Sequence, residues 1–305
     1  MHPDPIIIQG LNGLPLRAAI IGCGGTGCNI LAEGGIESAA TRIAIGSDAN
    51  TMRNLKADRK ILADVRKLED SARIPGKALR IAGSEYEADI SKALAGTDIS
   101  FILSGLGGLS GGWGSVIAAR AATLSRGIGF CVSSVPFSVE GGSRRDRATA
   151  QLKSLADCAE ATLVIPNDMI LAEAPNIPIK RAFRVMNSVL VSPVNLFSRS
   201  IGRDDLQLVR KHLGGGRILA MDSAEWDREN AEFAVIERLA KSRWLNLQSG
   251  KAMSAILFVE GHCLFDGMNE LGRLFSRELG NNGQVIVASA GDRRDGLRVT
   301  AVVGY

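Results

Sequence analysis

Short apolar runs alternate with stretches of helical spacing through the first half of this chain. The run from Leu16 to Ile21 reads as a buried strand that stops at Gly22, and Asn29 to Ala40 has the spacing of a helix. Arg42–Gly46 makes a second strand, so the three together form a β-loop-α-β unit, the signature of a parallel sheet. Residues 50–95 are charged and read as mostly helical or irregular. The pattern then resumes with strand Ile99–Leu103, helix Ser115–Arg126, strand Gly129–Ser134, helix Arg145–Ala159 and strand Ala161–Ile165. Strict alternation of this kind predicts an α/β fold with a doubly wound parallel sheet.

From Lys180 to about Ile201 the apolar positions Phe183, Met186, Val189, Leu190, Phe197 and Ile201 recur at helical spacing, which predicts one long helix that Pro193 kinks or interrupts. Beyond it come strand Arg217–Ala220, helix Glu229–Ser242, strand Ala252–Glu260 and helix Asp266–Leu279. A closing hairpin is expected to pair Gln284–Ser289 with Leu297–Val303. The expected organisation is a loose arm over 1–14, a nucleotide-binding domain over 15–179, a central helix over 180–202, and a smaller α+β domain with a mixed sheet over 203–305.

Composition narrows the function. In 305 residues, 46% hydrophobic and 22% charged, the chain reads as an ordinary soluble globular protein, with no run of membrane-spanning length and no signal peptide. A cytoplasmic location is expected. The net charge of +4 and 5% aromatic content give neither a basic stripe nor a stacking platform, so no nucleic acid partner is expected. Five cysteines are scattered through apolar stretches without a C-x-x-C pair, and there are three histidines, so no protein-bound metal is expected.

The 35 glycines are clustered, and two clusters fall between a strand and a helix. The first, GCGGTGCN over Gly22–Asn29, offers close backbone approach and a helix N-terminus to a phosphate. Alone it fits a dinucleotide fingerprint almost as well, with Asp48 as the downstream acid. The second, GLGGLSGGWG over Gly105–Gly114, changes that reading, because two such turns at one sheet edge surround a polyphosphate from both sides. Neither is a Walker loop, since no Gly-Lys-[Ser/Thr] is present.

At these residues the chain resembles the tubulin/FtsZ family, from about residue 16 to its end. Gly22–Asn29 is similar to the family's first phosphate loop, which implies nucleotide contacts at Gly24, Gly25, Thr26 and Asn29. Gly107, Gly108, Leu109, Ser110 and Gly111 resemble its GGGTG[ST]G signature. VPFSVEG (Val135–Gly141) resembles PFSFEG, which makes Glu140 the expected ribose ligand and Arg144 a nucleotide contact. LVIPND (Leu163–Asp168) brings in Asn167, and AFRVMN (Ala182–Asn187) resembles the start of the central helix. There Phe183 is expected to stack on guanine and Asn187 to read its edge, roles their chemistry suits: a flat apolar ring, and an amide with donor and acceptor together. The closing RVTAVVGY (Arg298–Tyr305) is similar to the family's last strand.

The chain also departs from the pattern. Leu109 and Trp113 stand at glycine positions of the signature, where the indole is expected to cover or crowd the phosphates, and the γ-phosphate loop shrinks to Ala82, Gly83 and Ser84. Where the family places an Asn-x-Asp-x-x-Asp loop that completes a neighbour's active site, this chain has SIGRDDL (Ser200–Leu206), leaving Asp205, with Asp204 beside it, as the expected catalytic acids. The resemblance implies GTP/GDP with Mg²⁺, head-to-tail self-association and weak or slow hydrolysis. The family's tail is missing, so no direct membrane contact is expected. The alternatives are a catalytically inactive scaffold or regulator of the same fold, and a nicotinamide-dependent oxidoreductase.

Overall fold

The computed structural model describes every residue except 1–2, 11–13, 38–39, 74–84, 228–230, 280–282 and 292–295. In chain order the elements are β1 (Ile6–Ile8), β2 (Ala18–Cys23), α1 (Gly24–Glu33), β3 (Thr41–Gly46), α2 (Ala49–Asn54), β4 (Arg59–Leu62), α3 (Val65–Arg73), α4 (Glu85–Ala93), β5 (Ile99–Gly105), α5 (Leu109–Leu124), β6 (Ile128–Val135), α6 (Gly142–Ala156), β7 (Ala161–Pro166) and α7 (Asp168–Glu173). The long α8 (Ile179–Ser200) follows, then α9 (Leu206–Leu213), β8 (Arg217–Trp226), α10 (Ala231–Ala240), β9 (Ser254–Glu260), α11 (Phe265–Glu278), β10 (Gln284–Ser289) and β11 (Leu297–Gly304).

The chain divides into two compact units, Leu16–Asn195 and Met1–Pro15 with Leu196–Tyr305. In the first, six parallel strands lie in the order β7-β6-β5-β2-β3-β4. The winding reverses between β2 and β5, and in a doubly wound sheet ligands bind outside the strand ends at that reversal. Both glycine clusters leave the sheet there, with Cys23 of β2 opposite Ser104 of β5. Strands β2 and β5 are buried along nearly their whole length. Helix α5 is buried all round from Gly111 to Ala122 because α3, α4 and α6 cover it as well as the sheet, which accounts for its mostly small and apolar residues.

Both helices begin earlier than their apolar spacing predicts, at Gly24 instead of Asn29 and at Leu109 instead of Ser115. Glycine costs about 1 kcal/mol in a helix, but here close packing demands it. A methyl group on Gly27 would run into the Leu103 carbonyl, and one on Gly111 would lie 2.7 Å from the Gly105 carbonyl oxygen. Helix α8 is one long helix as expected and runs on through Pro193 without the interruption that is one of the two effects expected of that residue, and Leu190, Val194 and Phe197 around it are buried.

In the second unit the sheet order is β1-β10-β9-β11-β8. The expected hairpin does not form: β10 runs parallel to β9 and to β1, while β11 lies antiparallel between β9 and β8. Helix α11 makes the crossover from β9 to β10. β11 is buried on both faces, which favours a central place over an edge. The segment read as a loose arm contributes β1, with a methyl position on Gly272 filled by Pro5.

Candidate functional site

Several of the sequence-predicted residues of the first unit, joined by Phe137 and Glu33, form a closed ring of contacts. Gly24, at φ +66°, turns the chain from β2 into α1, and its backbone meets that of Gly111 so closely that a methyl group would lie 2.5 Å from Gly111 Cα and N. Thr26 packs on Gly105, a methyl on which would stand 2.5 Å from Thr26 Oγ1. On the far side of the second turn, Gly107 lies against the start of α6, 2.7 Å from the Arg144 carbonyl oxygen by the same measure. Arg144 Nη1 donates to Glu140 Oε2 at 2.6 Å, and Glu140 Oε1 accepts from the Phe137 N–H at 2.7 Å, which fixes the turn between β6 and α6. Asp168 holds the same turn by accepting from the Ser138 hydroxyl at 2.6 Å.

Phe137 then meets Phe183 of α8 edge to face, with centroids 5.6 Å apart and planes at 78°. Phe183 is 46% exposed, so its face is open to a planar ligand. One turn along α8, Asn187 Nδ2 donates to Glu33 Oε2 at 2.9 Å, and Glu33 ends α1, which closes the ring. Asn167 is buried with Oδ1 unpartnered. Asn29 is exposed on α1, and Ala82 and Gly83 lie outside the described residues.

Neither α1 nor α5 carries a side-chain cap or an acidic residue in its first turn. Their leading N–H groups are therefore available to an anion, favoured further by the helix dipoles. Beside them is a cavity of about 130 Å³ lined by Gly24, Gly25 and Ser110 on one side and Ser47, Asp48 and Thr51 on the other. The Thr51 hydroxyl and the Asn50 N–H, at 2.9 Å each, hold the Asp48 carboxyl below its usual range. Cys28 also lines this cavity, and burial pushes its thiol up to about 11, so it stays protonated and unreactive.

Three features escaped sequence reasoning. Glu33 comes to Asn187 only through the tertiary fold, and Ser47 to Thr51 reach the cavity because β3 lies beside β2. Gln151 and Arg147 of α6 reach back to the second glycine turn. Trp113 needs a correction. The indole neither covers nor crowds the site; it is 3% exposed in the apolar core, with the Arg73 guanidinium of α3 6.0 Å from its ring. Its position one residue past Gly112 on an all-buried helix turns it inward. Asp204 and Asp205 belong to the other compact unit, where Asp205 Oδ2 accepts from the Gly202 N–H at 3.4 Å just ahead of α9. Among the described residues no cluster of three or more histidine, cysteine or acidic side chains is arranged to hold a metal, and no helix is long and apolar enough to cross a membrane.

Comparison with known proteins agrees with this fold. Residues 17–175 match the family model described as Tubulin/FtsZ family, GTPase domain. Cell division protein FtsZ 1 of Archaeoglobus fulgidus is 31% identical over 265 residues, spanning 84% of this chain and 72% of the relative. FtsZ 1 of Pyrococcus horikoshii is also 31% identical, over 80% of this chain and 68% of its own. FtsZ of M. jannaschii, solved as an empty dimer, superposes with a TM-score of 0.79 at 26% identity, covering 95% of this chain and 88% of that one. CetZ2 of Haloferax volcanii, solved as a GTPγS-bound protofilament, shares the fold at a TM-score of 0.72 and 17% identity over 94% of this chain and 92% of its own. With two glycine turns at the sheet reversal and a family model matched over residues 17–175, more than half of the chain and both turns, this chain belongs to the tubulin/FtsZ family.

Proposed function

We propose that this protein is an FtsZ-like cytoskeletal GTPase that binds guanine nucleotide in the ring of contacts closed by Asn187 and Glu33. The observation that carries the reading is the backbone contact of Gly24 with Gly111, which sets two uncapped helix starts side by side. In this reading the phosphates lie on Gly24, Gly25, Thr26 and Gly107–Gly111, with Asn29 contributing from their edge; the contacts expected of Ala82 and Gly83 fall outside the described residues. Arg144 and Glu140 meet the ribose and phosphates, Asn167 supplies its free Oδ1, Phe183 stacks on the base, and Asn187 reads its edge. Because Glu33 already accepts from Asn187, its second oxygen would accept from guanine's N1–H and 2-amino group, donors that adenine lacks on that edge.

Mg²⁺ suits the oxygen donors Ser47, Asp48, Thr51 and Ser110, which line the cavity together with Gly24 and Gly25. When bound, the ion supplies positive charge that offsets the phosphates. The protein is placed in the cytoplasm and assembles head to tail, bringing Asp205 and Asp204 of one copy to the nucleotide of the next. With a single carboxylate at the family's acidic positions, the attacking water is poorly oriented and turnover is slow. The intact ring of nucleotide residues favours this over an inactive scaffold.

Guanine nucleotide released from purified, denatured protein, and calorimetric binding of GDP, test the first claim; no binding at millimolar ligand refutes it. Phosphate release measured across a protein dilution series tests the second, with Asp205→Ala alongside. Turnover that ignores protein concentration and survives Asp205→Ala refutes a site shared between copies.

A further inference from the structure

Helix α6 carries Arg144, Arg147 and Gln151 at intervals of three and four residues, along one face. Gln151 is fully buried. Its Oε1 accepts from the Gly107 N–H at 2.8 Å and its Nε2 donates to the Gly108 carbonyl at 2.9 Å. One turn earlier, Arg147 Nη1 donates to the Gly107 carbonyl at 2.8 Å. Both backbone groups of Gly107, itself at φ +82°, are thus tied to α6, as is the carbonyl of Gly108. The fit is matched from the other side, because a methyl group on Gly112 of α5 would coincide with the Gln151 carboxamide.

We propose that Gln151, assisted by Arg147, is the positioning residue of the second phosphate turn. The inference rests on the reading of this turn as a phosphate cradle. The first helical bond of α5 runs from the Gly112 N–H to the Gly108 carbonyl at 3.3 Å, so the N–H groups of Leu109, Ser110 and Gly111 precede it. Gln151 occupies the groups of the turn that face α6 and fixes the backbone behind these donors. They remain free and already aimed, and the nucleotide does not have to order a glycine-rich segment as it binds. Arg144, at the start of the same face, couples the turn to the Glu140 side of the site.

The test replaces Gln151 by Met, which keeps length without the amide, and separately makes Gly112→Ala, which displaces the amide while leaving it chemically intact. Binding of guanosine, GDP and GTPγS is measured by calorimetry, with the melting temperature of the nucleotide-free protein alongside. We expect GDP and GTPγS to bind roughly 10- to 100-fold more weakly in both variants, with guanosine binding unchanged. An equal loss for guanosine and nucleotides means that Gln151 only supports the fold, and unchanged GDP affinity overturns the proposal outright. A wild-type protein that binds no nucleotide refutes the cradle reading itself. Should Gln151→Met not fold, Arg147→Met removes the second anchor from a partly exposed position and is read by the same ladder of ligands.

Discussion

Gly24→Ala concentrates the argument for the site in a single methyl group. At φ +66° an L-residue is strained, and the new Cβ would lie 2.5 Å from both Cα and N of Gly111. Neither neighbour is the end of a flexible side chain. Left-handed strain of about 1–2 kcal/mol and overpacking of about 1–3 kcal/mol together give a destabilisation of about 2–5 kcal/mol. For a domain of this size that corresponds to a fall in Tm of about 4–20 °C. The control is the next residue. Gly25 has open space where a Cβ would stand, so Gly25→Ala should leave the nucleotide-free protein as stable as before, or more stable by up to about 1 kcal/mol. Because Gly25 lines the cavity, its methyl should still weaken nucleotide binding. Differential scanning calorimetry of both variants without ligand, followed by GDP titration, reads the contrast. If Gly24→Ala melts with the wild type, the two glycine turns are not in backbone contact and the phosphate site has been built wrongly.

Other consequences are equally open to measurement. Asn187→Asp replaces a donor 2.9 Å from Glu33 Oε2 with a second carboxylate, so the pair should share a proton; a calorimetric pH series should find the variant gaining stability as pH falls, and weaker for GDP at neutral pH. Phe183→Ala removes the edge-to-face contact with Phe137 and the open ring face, and should lower GDP affinity about tenfold while barely changing Tm, since Phe183 is half exposed. The Asp48 carboxyl is depressed first by the Thr51 hydroxyl, so what ionised Asp48 contributes is present above its unfolded pKa and lost as pH falls through the folded one; Thr51→Val should move the Asp48 titration seen by carbon NMR upward in pH. An unmoved titration would remove Thr51 as the cause.

The parallel sheet was legible because its inner strands are apolar along their length and the stretches between them keep helical spacing. β4 was not, since only Ile61 of Arg59–Leu62 is buried and the strand opens with two charged residues, Arg59 and Lys60, as suits an edge. The hairpin expectation failed for a different reason. Adjacency in sequence suggested pairing of β10 with β11, whereas double-sided burial of β11 drew it between β9 and β8. Within the site, residues that belong to short motifs, such as Glu140 and Phe183, could be named from the chain alone. Glu33, Gln151 and Thr51 could not, because nothing local marks an ordinary surface or helix residue that acts through a partner far away in sequence. Trp113 misled in the opposite sense: it sits in the motif, but helix geometry points it away.

Strand β1 ties the order of synthesis to the order of folding. Ile6, Ile7 and Ile8 pair with Ile286, Val287 and Ala288, and the first fifteen residues belong to the compact unit completed by residues 196–305. The unit spanning Leu16–Asn195 is therefore an insertion within its neighbour, and its own strands are all in hand before β8 has been made. Closing so long a loop is entropically slow. A ribosome at work would hold a finished first unit flanked by an unpaired strand of three isoleucines, exposed until β10 emerges and gives it a partner.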